Sequence, residues 1–386
     1  MRKIPVLIAL LIIMGVMASS MVFVDSASAV TLEEAIAQSP KGTEEGQINP
    51  EAPKGYLGIP GAPRLSLIVG FLWAIWVGWI FSSVGAFGGI MAGVGHLTVF
   101  GLGDYAKTFK ESSPAINKLI TDSIRVSNQW LVGLSAAISS TNYYRMGRLV
   151  APLGIALAVG SVGGSLLIPI VTAGKIKLSA YQGYFGLAVF LIGAFLFYET
   201  TPRGQNRKKE AKAAAQAFEK SIKEKKSAAE IAAMGVKVTS FGLSRTSFTF
   251  FGVEFTFNPI VAAVGGLFIA ALASFLGIGG GFLFVPFLTS LVGLPMYLVA
   301  GTSALTVFVG MAVSIFSYMG LKSIAVQWSL IGVELVGIFI GSMIGPRTSK
   351  YIPDIWLKRI FIILALYVGL RYVSKGFFGT SWVPPY

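Results

Sequence analysis

Cysteine is absent from the 386 residues and histidine occurs once. The first absence removes disulfides, thiolate metal sites and any persulfide relay. The second leaves little from which to build a metal centre or a base-activated nucleophile. Charge is scarce as well: Asp, Glu, Lys and Arg make up 12% of the chain against 54% hydrophobic residues, and mean hydropathy is +0.73. A soluble globular domain carries more charged surface than that. No nucleotide-binding phosphate loop appears, so a proton or ion gradient, or simple facilitated flux, would have to supply any driving force. The charge that is present leans basic, with a net charge of +14. It lies mostly in connections between apolar runs, where orientation in a membrane accounts for it without nucleic acid as a partner.

The apolar runs approach the ~20 residues that cross a bilayer as helix, without the alternation of a membrane barrel. The expected fold class is an all-α polytopic membrane protein, multi-pass, in an inner (plasma) membrane of bacterial type. Residues 1–29 carry Arg2 and Lys3, an apolar middle and the small residues Ser26 to Ala29. They read as a signal peptide or, given the long apolar middle, as an uncleaved signal anchor. Residues 30–64, with Pro40, Pro50, Pro53, Pro60 and Pro63, read as an exported, exposed arm with little core of its own. A first transmembrane repeat spans 65–198 and a second 258–376, followed by a tail at 377–386. Between them, 199–257 is a strongly basic linker, cytoplasmic by the positive-inside rule. Its middle, Lys208 to Met234, has helical propensity and reads as a solvated helix, with a lipid or partner site as the alternative.

The two repeats can be laid over each other. Ser83 to Gly89 falls on Phe275 to Gly281, Ser127 to Gln129 on Gly301 to Ser303, and Gly164, Ser165 and Pro169 on Gly341, Ser342 and Pro346. Between Val94 and Ser127 the first copy is 18 residues longer than the second is between Pro286 and Gly301. Each copy holds a glycine-rich break within an apolar run, and each such glycine costs a helix about 1 kcal/mol relative to alanine. Irregular backbone at membrane depth is tolerated where protein buries it or where it lines a cavity. Paired broken helices in corresponding positions point to a transporter site. An exported arm and a cytoplasmic linker require an odd number of crossings between them, hence five per repeat and inverted repeats. A re-entrant break would instead give four crossings per repeat and parallel copies.

An anion suits such breaks, because glycines expose backbone N–H groups and a nearby half-helix aims the positive end of its dipole at the ligand. The expected contacts are Gly277, Gly279, Gly280 and Gly281 with Thr302 and Ser303, taken as hydroxyls at the start of the following helix. From the first copy come Gly88 and Gly89, then Ser127, Asn128 and Gln129, with Arg125 as a source of positive charge. Close helix packing and helix capping are the plain alternatives for the glycines and hydroxyls. Phe87 stands where the first copy would match Gly279, as a gate, a wall or core. Glu334, in the middle of an apolar run, and His96, the lone histidine, are the proton-coupling candidates.

The string Gly277 to Pro286, then Gly293 to Pro295, then Ala300 to Ala304, resembles the signature of the TauE/SafE sulfite exporter family, also called the toluene sulfonate uptake permease family. The resemblance covers roughly residues 65 to 375. It implies a secondary transporter of sulfite, sulfonates or related small sulfur oxyanions working by alternating access, and no enzyme and no cofactor. The implied partners are a small anion and the bilayer, with a homo-oligomer left open. A structural or sensory membrane subunit is the competing class, since duplication alone does not exclude it.

Overall fold

The computed structural model describes residues 31–85, 88–172, 178–201, 209–276, 281–316, 319 and 324–383. The expected signal segment, Phe87, and Gly277, Gly279 and Gly280 of the second break lie outside the described residues. After α1 (Leu32–Gln38), the first repeat runs through α2 (Leu67–Val84) and α3 (Gly88–Val94), which continues into a π-helical turn, Gly95–Val99. It goes on through α4 (Leu102–Ser112), α5 (Pro114–Arg145), α6 (Ala151–Thr172) and α7 (Leu178–Glu199). The second repeat comprises α10 (Pro259–Leu276), a run of helical turns at Gly281–Leu291, α11 (Met296–Ile315), α12 (Trp328–Ser349) and α13 (Asp354–Phe378). Of these, α2, α11, α12 and α13 are long and apolar enough to cross a membrane. The helical membrane class follows from the composition.

The extra residues of the first repeat form α4 and the start of a single 32-residue helix, α5. Pro114 starts α5 at a position where its missing N–H costs nothing. The second break also ends in a π turn, Phe287–Leu291. In the register that sets Gly89 on Gly281, the two π turns coincide.

Helices pair across the repeats. The α2 and α12 helices run side by side in the same direction, with Gly70 against Leu330 and Gly345 against Ser82. So do α6 and α10, with Gly160 against Ala263 and Gly164 against Ala271. By contrast α5 opposes α11, Gly133 meeting Met311 while Gly301 meets Tyr143. In the same way α7 opposes α13, Gly183 meeting Phe377 and Gly193 meeting Leu366. Small residues let these backbones approach closely, the usual packing device where lipid leaves no hydrophobic drive between helices.

Two expectations are corrected. The arm is not simply an exposed strap: one face of it is buried, with Ala35, Ile48, Tyr56 and Ile59 in a cluster with Phe109 and Ile120 of the insertion and Leu330 of the second repeat. Too poor to make its own core, it borrows the apolar stripe of α4, where Leu102, Ala106 and Phe109 recur at helical spacing. The linker is not merely a solvated helix. It folds into α8 (Lys209–Lys223), α9 (Ala228–Ala233) and a three-stranded antiparallel sheet of β1 (Lys237–Ser240), β2 (Thr246–Phe250) and β3 (Val253–Phe257). All-α therefore holds for the membrane part only. Phe248, Phe250, Phe255 and Phe257 alternate toward one buried face, and Phe251 and Gly252 form the turn with φ of 50° and 79°, as a tight hairpin requires. Phe218 of α8 packs on Tyr297 with ring centroids 4.4 Å apart, docking the linker on the bundle end opposite the arm.

Candidate functional site

The two broken segments meet in the middle of the bundle. A side chain at Gly85 would lie 2.9 Å from Val285 and 3.4 Å from the Ser303 hydroxyl, and α3 touches the turn Gly281–Leu283. Gly281 is buried there. Gly88, one residue into α3, backs onto Phe81 and the Val77 carbonyl, so its small size serves packing at this contact. Gly89 follows it in the same turn.

Thr302 and Ser303 do not start a helix. The α11 helix begins at Met296 after Pro295, so both hydroxyls lie about one and a half turns further in. Thr302 Oγ1 accepts a hydrogen bond from Val150 N at 3.2 Å, tying the α5–α6 connection to α11. Ser303 Oγ donates to the Ala300 carbonyl at 3.3 Å. Both side chains are fully buried.

At the far end of α3 the structure joins residues that are widely separated in sequence. His96 sits in the π turn, and its Nε2 lies 3.1 Å from Glu334 Oε2 while its Nδ1 lies 2.6 Å from Asn128 Oδ1. His96 is 1% exposed and Glu334 0%. The second carboxylate oxygen, Oε1, is buried without a hydrogen-bond partner. Glu334 is not at the middle of its helix but near the start of α12, beneath Leu330 and the arm. Phe100 packs edge-on against the His96 ring at 5.7 Å.

The hydrogen bonding constrains where protons sit. With the amide oxygen of Asn128 facing it, Nδ1 carries a hydrogen, because a carbonyl oxygen only accepts. The contact between Nε2 and Oε2 then needs one more proton, held either on the carboxyl or on a doubly protonated ring. Removing that proton leaves two lone pairs face to face, a repulsive arrangement.

Of the other expected residues, Ser127 is committed to the Ser123 carbonyl at 2.8 Å and Gln129 donates to Ser314 Oγ at 2.7 Å. The Gln129 Oε1 atom is buried without a partner. Arg125 does not face a break. It pairs with Asp122 at 3.0 Å, one turn away on α5, and its side chain is a third exposed.

Two participants were not foreseen. Tyr56 of the arm reaches Ser123 Oγ at 3.0 Å, while Leu57 N donates to Gln327 Oε1 at 2.8 Å, so the arm spans both repeats above the His96–Glu334 pair. Arg148, 2% exposed, joins the repeats at the linker end. Its guanidinium donates to the carbonyls of Tyr297 and Pro346, both at 3.3 Å, and lies 4.7 Å from the Tyr143 ring. Arginine next to glycine in a short connection between apolar runs is the only sequence signal for it. Burial pushes its pKa below the usual arginine value.

A family model described as Sulfite exporter TauE/SafE matches residues 69–372. No curated protein and no solved structure gives a match.

Proposed function

The chain belongs to the TauE/SafE sulfite exporter family, which makes it a membrane transporter of sulfur-related anions, and from that premise we propose a proton-coupled secondary transporter of sulfite, sulfonate or a related sulfur oxyanion. The observation that carries the coupling is the His96–Glu334 contact, buried at 3.1 Å between an element of each repeat. A buried, partnered ionisable pair in a membrane bundle is expensive and is found where protons or ions move.

In this reading the anion binds where the two breaks meet, contacted by Gly277, Gly279, Gly280 and Gly281 and by Ser303, with Gly88 and Gly89 behind. The α3 segment is the mechanical link, since Gly88 and His96 lie about 12 Å apart at 1.5 Å per helical residue. Proton loss forces His96 and Glu334 apart, and α3 carries that movement to the break. Thr302 holds the α5–α6 connection, Asn128 supports the pair, and Ser127, Gln129 and Arg125 bond to Ser123, Ser314 and Asp122 rather than to the anion.

Alternating access in this reading uses inverted repeats of five crossings each. The packing supports inversion: the first helix of each repeat lies along the fourth of the other in the same direction, whereas the third helices, and the fifth, oppose each other. That combination is what a two-fold axis in the membrane plane produces. The arm end then faces outward and the basic linker, with α8 and its lysines, faces the cytoplasm.

Purified protein in liposomes tests the function. Uptake or release of radiolabelled sulfite or of a labelled sulfonate is expected, with a rate that changes under an imposed pH gradient. A folded protein that moves none of these anions would refute the transporter reading, and flux indifferent to pH would refute the coupling.

A further inference from the structure

The duplicated chain contains its own control experiment. The helix pair α5–α12 and the pair α11–α6 occupy corresponding places in the two repeats, so equivalent residues can be compared. In the register already given, Asn128 matches Thr302, Ser135 matches Val309, Ser139 matches Val313 and Glu334 matches Leu157. The α11–α6 contact is an apolar cluster in which Val309 and Val313 pack on Ala158 and Val162. Valine therefore suffices to hold this type of interface together.

On the α5 side of α5–α12 the places of the two valines are polar, although Ser342 on α12 has a serine, Ser165, at its equivalent. Ser135 Oγ and Ser342 Oγ share a hydrogen bond of 2.7 Å, and both residues are fully buried. Ser139, one turn along α5, is 0% exposed and its hydroxyl has no partner. One further turn on, the Tyr143 hydroxyl donates to the Ser82 carbonyl and lies 3.3 Å from Ser349 Oγ, which Arg148 also reaches. Ser135, Ser139 and Tyr143 recur one turn apart along α5 toward the linker end, with Ser139 making no hydrogen bond to either neighbour in this state. Burying a hydroxyl without a partner costs about 1–3 kcal/mol, and the sister interface avoids that cost with valine.

We propose that the α5–α12 seam is the proton route between the linker end and the His96–Glu334 pair, with Ser135, Ser139 and Ser342 as its relay, separate from the anion's route at the breaks. This rests on the proton-coupled reading above. Hydroxyls suit the task because each both donates and accepts. The line is not continuous: from Ser135 to Asn128 is about 10 Å along α5, filled by Leu131, Val132 and Ile338, all buried. That apolar gap prevents a leak and must hydrate or close up in one state of the cycle. Among the described residues, other titratable or charged groups near the route include Tyr143, Arg148, Tyr297 and Asp354 at the linker end and Tyr56 at the arm end. Arg371 reaches the π turn through Thr98 at 3.3 Å. The α2 helix, packed along α12, contributes none.

The test uses the full chain in liposomes and methanesulfonate, whose sulfonate stays ionised, so that any proton that moves is moved by the protein. Ser135→Val with Ser139→Val installs the residues that the second repeat already carries. Ser135→Thr with Ser139→Thr has the same shape and keeps both hydroxyls. Exchange of labelled methanesulfonate at equal pH reads anion binding and conformational change, and an entrapped pH dye reads anion-dependent proton movement. The valine pair is expected to keep exchange within about 2-fold and to lose ~10-fold or more of the proton movement, while the threonine pair keeps both. Undiminished proton movement in the valine pair overturns the route, and so does joint loss of exchange and proton movement, which would mark the seam as packing. If the unmodified protein exchanges methanesulfonate without moving protons, the coupled reading itself fails, a result distinct from either.

Discussion

Glu334→Gln isolates the proton from the packing. The amide has the volume of the carboxyl, so no cavity opens, and it can still donate a hydrogen bond to His96 Nε2, 3.1 Å from the present carboxylate oxygen. Leaving His96 Nε2 without a partner would cost about 3–5 kcal/mol, as breaking a buried pair does. Keeping a neutral hydrogen bond should limit the loss to ~1 kcal/mol, so a folded variant is expected. What disappears is the exchangeable proton. In the proposed cycle the pair stores one proton between Nε2 and Oε2, which would set the coupling at one proton per cycle. Moving one proton with one monovalent anion is electroneutral, and one pH unit then supplies about 1.4 kcal/mol, a tenfold concentration ratio. Liposomes holding the unmodified protein under a gradient of about one pH unit should therefore accumulate labelled methanesulfonate about 10-fold. The variant should stop near a ratio of ~1 while still exchanging anion at equal pH. Accumulation by Glu334→Gln equal to that of the unmodified protein would refute the assignment of Glu334 as the coupling group.

Other outcomes follow from the same structure. Gly280→Leu adds a bulky side chain at the second break and should abolish flux while leaving membrane insertion intact; normal flux per reconstituted molecule would remove that break from the anion path. Phe218→Ala empties the contact that docks the linker, and at about 3–5 kcal/mol for a buried phenylalanine it should lower the melting temperature in detergent and expose residues 209–257 to protease. Unchanged melting and digestion would mean the linker is held elsewhere. Burial pushes the Tyr56 phenol above its ordinary value, so its contribution to holding the arm is complete below pH ~10 and is lost as pH rises further through the folded value. Proteolytic nicking of the arm should increase over that range, and Tyr56→Phe should flatten the increase; an equal increase in the variant would mean another group titrates.

Much of the candidate site was legible, but not its connections. Glu334 and His96 each stood out because an ionisable side chain in an apolar run is costly. Their contact was hidden, because they lie 238 residues apart and meet only through the way one repeat packs on the other. Asn128 was chosen as an anion contact through its match to Thr302, yet its partner is His96, since the insertion makes α5 a continuous helix rather than a helix start. The arm misled for a different reason. Its prolines and acidic residues suggested exposure, whereas Tyr56 and Ile59 are buried on a surface that only the folded insertion provides. The linker hairpin was readable, since aromatic residues alternate on either side of Phe251 and Gly252, but helical propensity in the preceding stretch dominated the expectation.

The departures of the first repeat from the second are informative because they cluster. An inverted duplication with identical halves would place a proton store at each end of the bundle and two relays to them, so a proton could cross without an anion. Here the polar set is concentrated at one of two equivalent interfaces between the repeats: His96 faces Glu334 where the equivalent positions are Leu288 and Leu157, and Ser135 and Ser139 stand where the equivalents are Val309 and Val313. The better-formed glycine break, in contrast, belongs to the second repeat, and the arm and insertion that cover the pair belong to the first. In the proposed cycle this division assigns the proton to one inter-repeat interface and most of the anion contact to the glycine break of the second repeat. The α3 segment touches both sites, and its movement couples them. A single store also fixes the stoichiometry at one proton, which the accumulation ratio of the unmodified protein measures directly.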